Sequence, residues 1–261
     1  MAGNSLPEPR PATPLRWSMV AESLRRPYRV TIPMVVLVSL VPLYLFIPEL
    51  AGERTLRAPA LSLDDRIPQQ PAWVLVYGSL YLWLILLPVF VVRQDAAIRR
   101  TLFAYLTVWI ASYVVFLFYP TIAPRPDGET VTGEGFAAWG LRFLYSSDPP
   151  YNCFPSLHVA HSFVSAMSSG RVHRGLGIVA SVCAFFVGLS TLFTRQHYIL
   201  DVAGGIVLAS VAYAVFLRKV RREDVPEMDR RVAPALALLV AGIVSVFIGC
   251  YWVLYLLGVE V

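Results

Sequence analysis

The sequence is poor in charge, and what it has is mostly of one kind. Only 15% of its 261 residues are Asp, Glu, Lys or Arg, whereas a soluble domain carries about a quarter. A single lysine, Lys219, stands beside 21 arginines, a codon bias that points to a GC-rich bacterial genome. Cysteine is scarce: Cys153, Cys183 and Cys250 are too few for a disulfide framework, and the last two fall inside apolar runs, where free cysteine packs as a small hydrophobe. No glycine-rich phosphate loop of the nucleotide-binding kind is present. The acidic residues Asp127, Glu129 and Glu134 are sparse and lack metal-ligand spacing, so neither a metal nor a cofactor is expected. Repeats at solenoid periods and low-complexity segments are also missing, which leaves one domain as the economical reading.

Apolar residues make up 57% of the chain, with a mean hydropathy of +0.61. Crossing the bilayer core takes about 20 predominantly apolar residues. Such stretches occur near 31–49, 72–92, 101–119, 155–169, 176–194, 198–217 and 232–257. The fourth is short and rich in Ser and His, so six spans is the alternative to seven. The expected fold is all-α: a polytopic membrane helix bundle with a seventh transmembrane helix at the C-terminus.

A formal charge of +5 suggests nucleic acid until the positions of the charges are read. Counted over the loops, sixteen basic residues, from Arg10 to Arg231, fall on one side of the membrane. Six fall on the other: Arg54, Arg57, Arg66, Arg125, Arg142 and Arg195. Basic residues collect on the cytoplasmic side. The N-terminus is therefore expected in the cytoplasm of a bacterial plasma membrane, and no nucleic-acid partner is expected. Residues 1–28 form a polar cytoplasmic tail in which "PLRWSMVAESLRR" has the pattern of an amphipathic helix on the inner leaflet. That tail lacks a signal peptide, and the first apolar run is long enough to remain as an anchor. Residues 29–217 are expected as a six-span membrane domain, 218–231 as a basic cytoplasmic loop, and 232–261 as the extra helix. The outer loop 120–154 contains "EGFAAWGLRFLYSSD", where Phe136, Gly140, Phe143 and Leu144 recur near helical spacing; an interfacial amphipathic helix fits it.

This topology brings three polar clusters to one depth on the outer face. Arg125 lies in "APRPDG", Ser156 and His158 in "CFPSLH", and Arg195, His197 and Asp201 in "TRQHYILD". If the sixth span starts near Gln196, His197 and Asp201 stand four apart on one helical face. The carboxylate then fixes the imidazole tautomer and leaves the other nitrogen free as a nucleophile or base. A helix starting after Pro155 offers free N–H groups to an anion. Ser156 adds a hydroxyl there, and His158 is placed to protonate a departing oxygen. Arg125 and Arg195 match phosphate oxygens in geometry and charge. His161 lies a turn deeper and is read as a supporting or packing residue.

"PTIAPRP", "CFPSLH" and "STLFTRQHYILD", in this order and between spans, resemble the type-2 phosphatidic acid phosphatase superfamily over residues 70–217. The resemblance implies a six-helix core and metal-independent phosphoryl transfer. By it, His197 attacks phosphorus to form a phosphohistidine, Asp201 orients His197, and His158 protonates the leaving alkoxide. The superfamily's lipid phosphatases have Lys-x6-Arg-Pro and Ser-Arg-x5-His-x3-Asp. Here Phe118 takes the lysine position and Thr191 the arginine position, with Arg195 expected one helical turn later on the same face. The spelling is nearer to the inositol phosphorylceramide synthase-like branch, which passes a phosphoryl headgroup to a lipid alcohol. A lipid phosphate or phospholipid substrate, a lipid alcohol acceptor and the bilayer are the implied partners; plain lipid-phosphate or polyprenyl-diphosphate hydrolysis is the alternative. Two other classes compete, a proton-coupled carrier and an inactive scaffold. The carrier is disfavoured because the ionisable groups gather at one face and not at the midplane, where transport sites lie.

Overall fold

The computed structural model describes residues 16–24, 46, 55–126 and 130–260. The expected first span, 31–49, lies outside the described residues except for Phe46, as do Asp127 and Glu129. Among the described residues eight α-helices follow one another: α1 (Trp17–Leu24), α2 (Trp73–Val91), α3 (Asp95–Phe118), α4 (Phe136–Ser147), α5 (Leu157–Val172), α6 (Arg174–Phe193), α7 (Ile199–Val215) and α8 (Glu227–Leu256). Five of them, α2, α3, α6, α7 and α8, are long and apolar enough to cross a membrane. The protein is an all-α integral membrane helix bundle.

The division of labour between helices follows from what surrounds each. Outward faces carry large apolar side chains such as Phe103, Ile110, Val182, Val207, Leu238 and Val246, all exposed on the bundle surface. Lipid tails solvate these. Helix α5, the expected short fourth span, has only 16 residues and runs through the middle, packed by α2, α3, α6 and α7. Because it meets helices and not lipid, it tolerates Ser162, Ser165, Ser168 and Ser169, all buried. The hydroxyls of Ser162, Ser165 and Ser168 are spent internally. Ser165 Oγ donates to the Leu84 carbonyl of α2 at 2.5 Å, Ser162 Oγ to the His158 carbonyl at 2.7 Å. Small side chains also let helix backbones approach closely. Where α5 turns into α6, a Cβ on Gly177 would lie 2.4 Å from the Gly170 Cα.

The chain reverses at each turn, so α5 and α7 begin at the end of the bundle where α3 and α6 finish. Loops tie this end together. The Arg57 N–H donates to the Pro120 carbonyl at 3.0 Å and the Ala123 N–H to the Pro150 carbonyl at 2.8 Å. Thr121 Oγ1 accepts from the Cys153 and Phe154 N–H groups at 2.9 and 3.1 Å. The helix expected in the outer loop is α4, which buries Ala138, Trp139, Leu141 and Tyr145. It does more than rest on an interface. The Trp139 indole donates to the Val259 carbonyl at 2.7 Å, and Phe136 stacks on Trp139 and meets Trp252 and Tyr255 of α8. At the N-terminal side, α1 was expected on the lipid leaflet. Its Val20 is buried in the core cluster that also holds Val232, with Met228 packed against it, so α1 docks on the start of α8.

Candidate active site

Two helix starts meet at the loop-bound end. Ser156 is the N-cap of α5, its Oγ accepting from the Val159 N–H at 3.3 Å. Its own N–H donates to the Asp201 carbonyl of α7 at 3.0 Å. The sequence reading placed this serine in the first turn as a donor for an anion. It is fully buried and its oxygen is occupied as a cap, the role its residue type favours at this position. Close approach of the two segments depends on glycine. A Cβ on Gly205 would sit 2.6 Å from the Ser156 carbonyl oxygen, and one on Gly204 would sit 2.9 Å from Phe154 Cε2.

Helix α7 does not begin near Gln196, as the sequence suggested. It begins at Ile199 with Tyr198 as N-cap, so His197 precedes the helix and cannot share a helical face with Asp201. The two still meet, through a capping box. Asp201, at the third position, accepts the Tyr198 N–H on Oδ2 at 2.8 Å, and the same oxygen lies 3.4 Å from His197 Nδ1. The carboxylate is fully buried and His197 is 6% exposed. Across the junction, His197 Nε2 stands 3.2 Å from His158 Nδ1. A carboxylate only accepts, so Nδ1 of His197 carries the proton and Nε2 holds the lone pair. His158 Nδ1–H is then the donor between the two rings. The Tyr77 and Tyr81 rings wall His158 at 5.2 and 4.8 Å. The arrangement is a carboxylate–imidazole–imidazole chain in which a nitrogen lone pair faces a ring N–H.

The arginines occupy different places. Arg125 donates to the Tyr145 and Asp148 carbonyls at 3.1 and 2.5 Å and lies over the Tyr145 ring at 4.3 Å. It also donates to Gln196 Oε1 at 2.8 Å, which brings it to the residue next to His197. Arg195 was expected on a helical face shared with residue 191. Helix α6 has already ended at Phe193, and Arg195 sits at φ 55° in the turn between helices. Its guanidinium donates to the Asp64 carbonyl at 2.9 Å. Asp64 was missed by the sequence reading. It is buried, and its carboxylate accepts from the Leu61 and Ile199 N–H groups at 2.7 and 2.9 Å. That pins the first turn of α7 to the loop before α2, with negative charge where the helix dipole favours it.

A family model described as the PAP2 superfamily matches residues 63–215, more than half of the chain and close to the range of the resemblance. The chain belongs to the PAP2 superfamily. Among curated proteins it is similar to a PA-phosphatase related-family protein of Dictyostelium discoideum, 32% identical over 106 residues, which cover 36% of this chain and 19% of that protein. The chain thus spans about a fifth of that relative. No solved structure matches it significantly.

Within this PAP2 member, the two departures from the motif lie in different settings. Phe118, at the lysine position, is the last residue of α3 and 75% exposed, so it faces away from the bundle. Thr191 is fully buried. Its hydroxyl turns back to the Gly188 carbonyl at 2.8 Å, and its own carbonyl accepts from the Gln196 and His197 N–H groups at 2.9 and 3.2 Å. Residue 191 therefore shapes the turn that holds His197 and contributes no charge to it. Burial, with the Asp201 and Asp148 carboxylates nearby, pushes the Cys153 thiol well above its ordinary value. It stays protonated and does not compete as a nucleophile. No group of three or more His, Cys, Asp or Glu that could hold a metal occurs among the described residues.

Proposed function

We propose that the protein is a membrane phosphoesterase or phosphotransferase acting on a lipid phosphate through a phosphohistidine on His197. The contact between His158 Nδ1 and His197 Nε2 at 3.2 Å, with Asp201 behind His197, carries this reading. The Nε2 lone pair attacks phosphorus. The bond from phosphorus to the ester oxygen breaks, and its electrons leave on that oxygen, which takes a proton from His158. An acceptor hydroxyl then attacks the phosphohistidine, gives its proton to His158, and the N–P bond breaks to restore His197. Asp201 stabilises the imidazolium character that His197 acquires. Arg125 is the cation proposed beside the phosphoryl group. Arg195 and Ser156 support the site through the turn and the α5 cap.

The acceptor is proposed to be a lipid alcohol, from the "FPSLH" spelling and the uncharged residue at 191; hydrolysis by water is the alternative, in line with the name of the Dictyostelium relative. The site is proposed on the outer face. The basic run Arg218–Arg222 and Arg171, which donates to the Val220 carbonyl at 2.7 Å, lie at the opposite end of the bundle, where the positive-inside rule places cytoplasm. Purified protein in micelles, given phosphatidate or a phospholipid with and without an added lipid alcohol, tests the choice by mass spectrometry of the products. A new phosphorylated alcohol is expected. Free phosphate alone, with the alcohol present, establishes hydrolysis; absence of any phosphorus-containing product across these substrates overturns the reading.

A further inference from the structure

Gln196 stands immediately before the proposed nucleophile and is only 3% exposed. Its side-chain oxygen accepts from Arg125 at 2.8 Å. Arginine has donors and no acceptor, so this contact settles which end of the amide faces it: Oε1 toward Arg125, Nε2 away. Nε2 is buried and has no hydrogen-bond partner. A buried donor with no acceptor is costly, and in native proteins such an atom calls for an explanation. The Gln196 N–H donates to the Thr191 carbonyl at 2.9 Å, which holds the turn that carries the side chain. The amide cannot turn over without setting its NH2 against the Arg125 guanidinium.

From this we propose that Gln196 is a phosphoryl-oxygen ligand, its amide aimed by Arg125 and its Nε2 donating to the group that His197 attacks. The inference deepens the reading of a phosphoryl-transfer site and rests on it. A phosphate monoester dianion or diester monoanion supplies the acceptor that the resting protein lacks. Phosphorus reaches His197 Nε2 only when the His158 ring gives way, and the donor beside it is satisfied in the same step. Arg125 contributes its charge through the pair: by drawing on Oε1 it polarises the amide and strengthens Nε2 as a donor. The ligand is thus a neutral group backed by a cation.

Two variants of the full chain in detergent separate this role from a merely structural one. Gln196→Glu keeps an acceptor for Arg125 and replaces the donor with a negative oxygen. Gln196→Met keeps the shape and removes both. Binding of inorganic phosphate is measured by calorimetry, and the KM for phosphatidate alongside, with Tm as a check on folding. Both variants are expected to weaken phosphate about 10- to 100-fold, the loss of one hydrogen bond to a charged group. For Gln196→Glu the Tm should match or exceed that of the unsubstituted protein. Phosphate binding by a folded Gln196→Glu equal to that of the unsubstituted protein overturns the inference, leaving Gln196 as an anchor for Arg125. Should the Glu variant fail to fold, unchanged binding by Gln196→Met overturns it equally. Unsubstituted protein that neither binds phosphate nor turns over a lipid phosphate removes the parent reading, and this inference with it. Phosphate binding without turnover of phosphatidate leaves the variants to decide on binding alone.

Discussion

His161 and His197 are buried to the same degree, 7% and 6% exposed, yet they sit in opposite kinds of surroundings. His161, in the middle of α5, is enclosed by rings. Tyr105 and Trp109 lie 5.5 and 5.0 Å away, and the Tyr81 hydroxyl is 3.4 Å from its Nδ1. His197, at the loop-bound end, has a carboxylate on one nitrogen and a second imidazole on the other. Burial alone therefore says nothing about chemistry here. What separates the two is whether the ring's partners can hold charge and pass a proton. Aromatic faces pack an imidazole; a carboxylate and an imidazole make it reactive.

The comparison can be broken most severely at His197. Replacing it with alanine should abolish turnover while the protein still folds in detergent; full activity in that variant would end the proposed mechanism. His158→Ala should cost about 10²- to 10⁴-fold, the range for a lost general acid. The loss should be far greater with an alkoxide leaving group than with an activated phenolate, and equal losses on both would remove His158 from the acid role. Gly205→Ala probes the junction that brings the two histidines together. With the new Cβ 2.6 Å from the Ser156 carbonyl, overpacking of about 1–3 kcal/mol is expected. Thermal unfolding should show it as a lowered Tm, accompanied by reduced activity as α5 and α7 are forced apart. The smallest effect on activity belongs to His161→Leu, which keeps an apolar plug among the rings. Turnover within the scatter of unsubstituted protein is expected, and a collapse of kcat without loss of folding would erase the distinction drawn here.

Much of this was legible in the chain before any coordinates. Apolar runs located α2, α3, α6, α7 and α8, because a span in lipid must be apolar on nearly every face and long enough to cross. The short run after Pro155 was recognised as unlike the others, and its serines and histidines are those of a helix buried among helices. The polar groups His158, His197 and Asp201 were picked out by type and position, and the structure brings all three together. The errors share a physical cause. Helical periodicity was extended through Arg195, Gln196 and His197, where the backbone instead turns at a positive φ and is held by the Thr191 carbonyl. Arg195 consequently points to Asp64 and not along a helix. The role of Asp64 at this junction carries no local signal, since the partners it meets there, Ile199 and Arg195, stand more than 130 residues away.

The sequence by itself determined that this chain is a membrane helix bundle with imidazoles, a carboxylate and guanidiniums gathered at one end. Hydropathy and the alternation of seven spans across a bilayer bring those residues to one side. Only the tertiary structure decided how they are joined: His197 meets Asp201 through a capping box, Ser156 serves as a cap, Asp64 clamps α7, and Gln196 joins Arg125 to the segment that carries His197. Those relations depend on where each helix starts and on contacts between distant loops. Side-chain and backbone geometry sets them over a few ångströms, and no one-dimensional pattern encodes it.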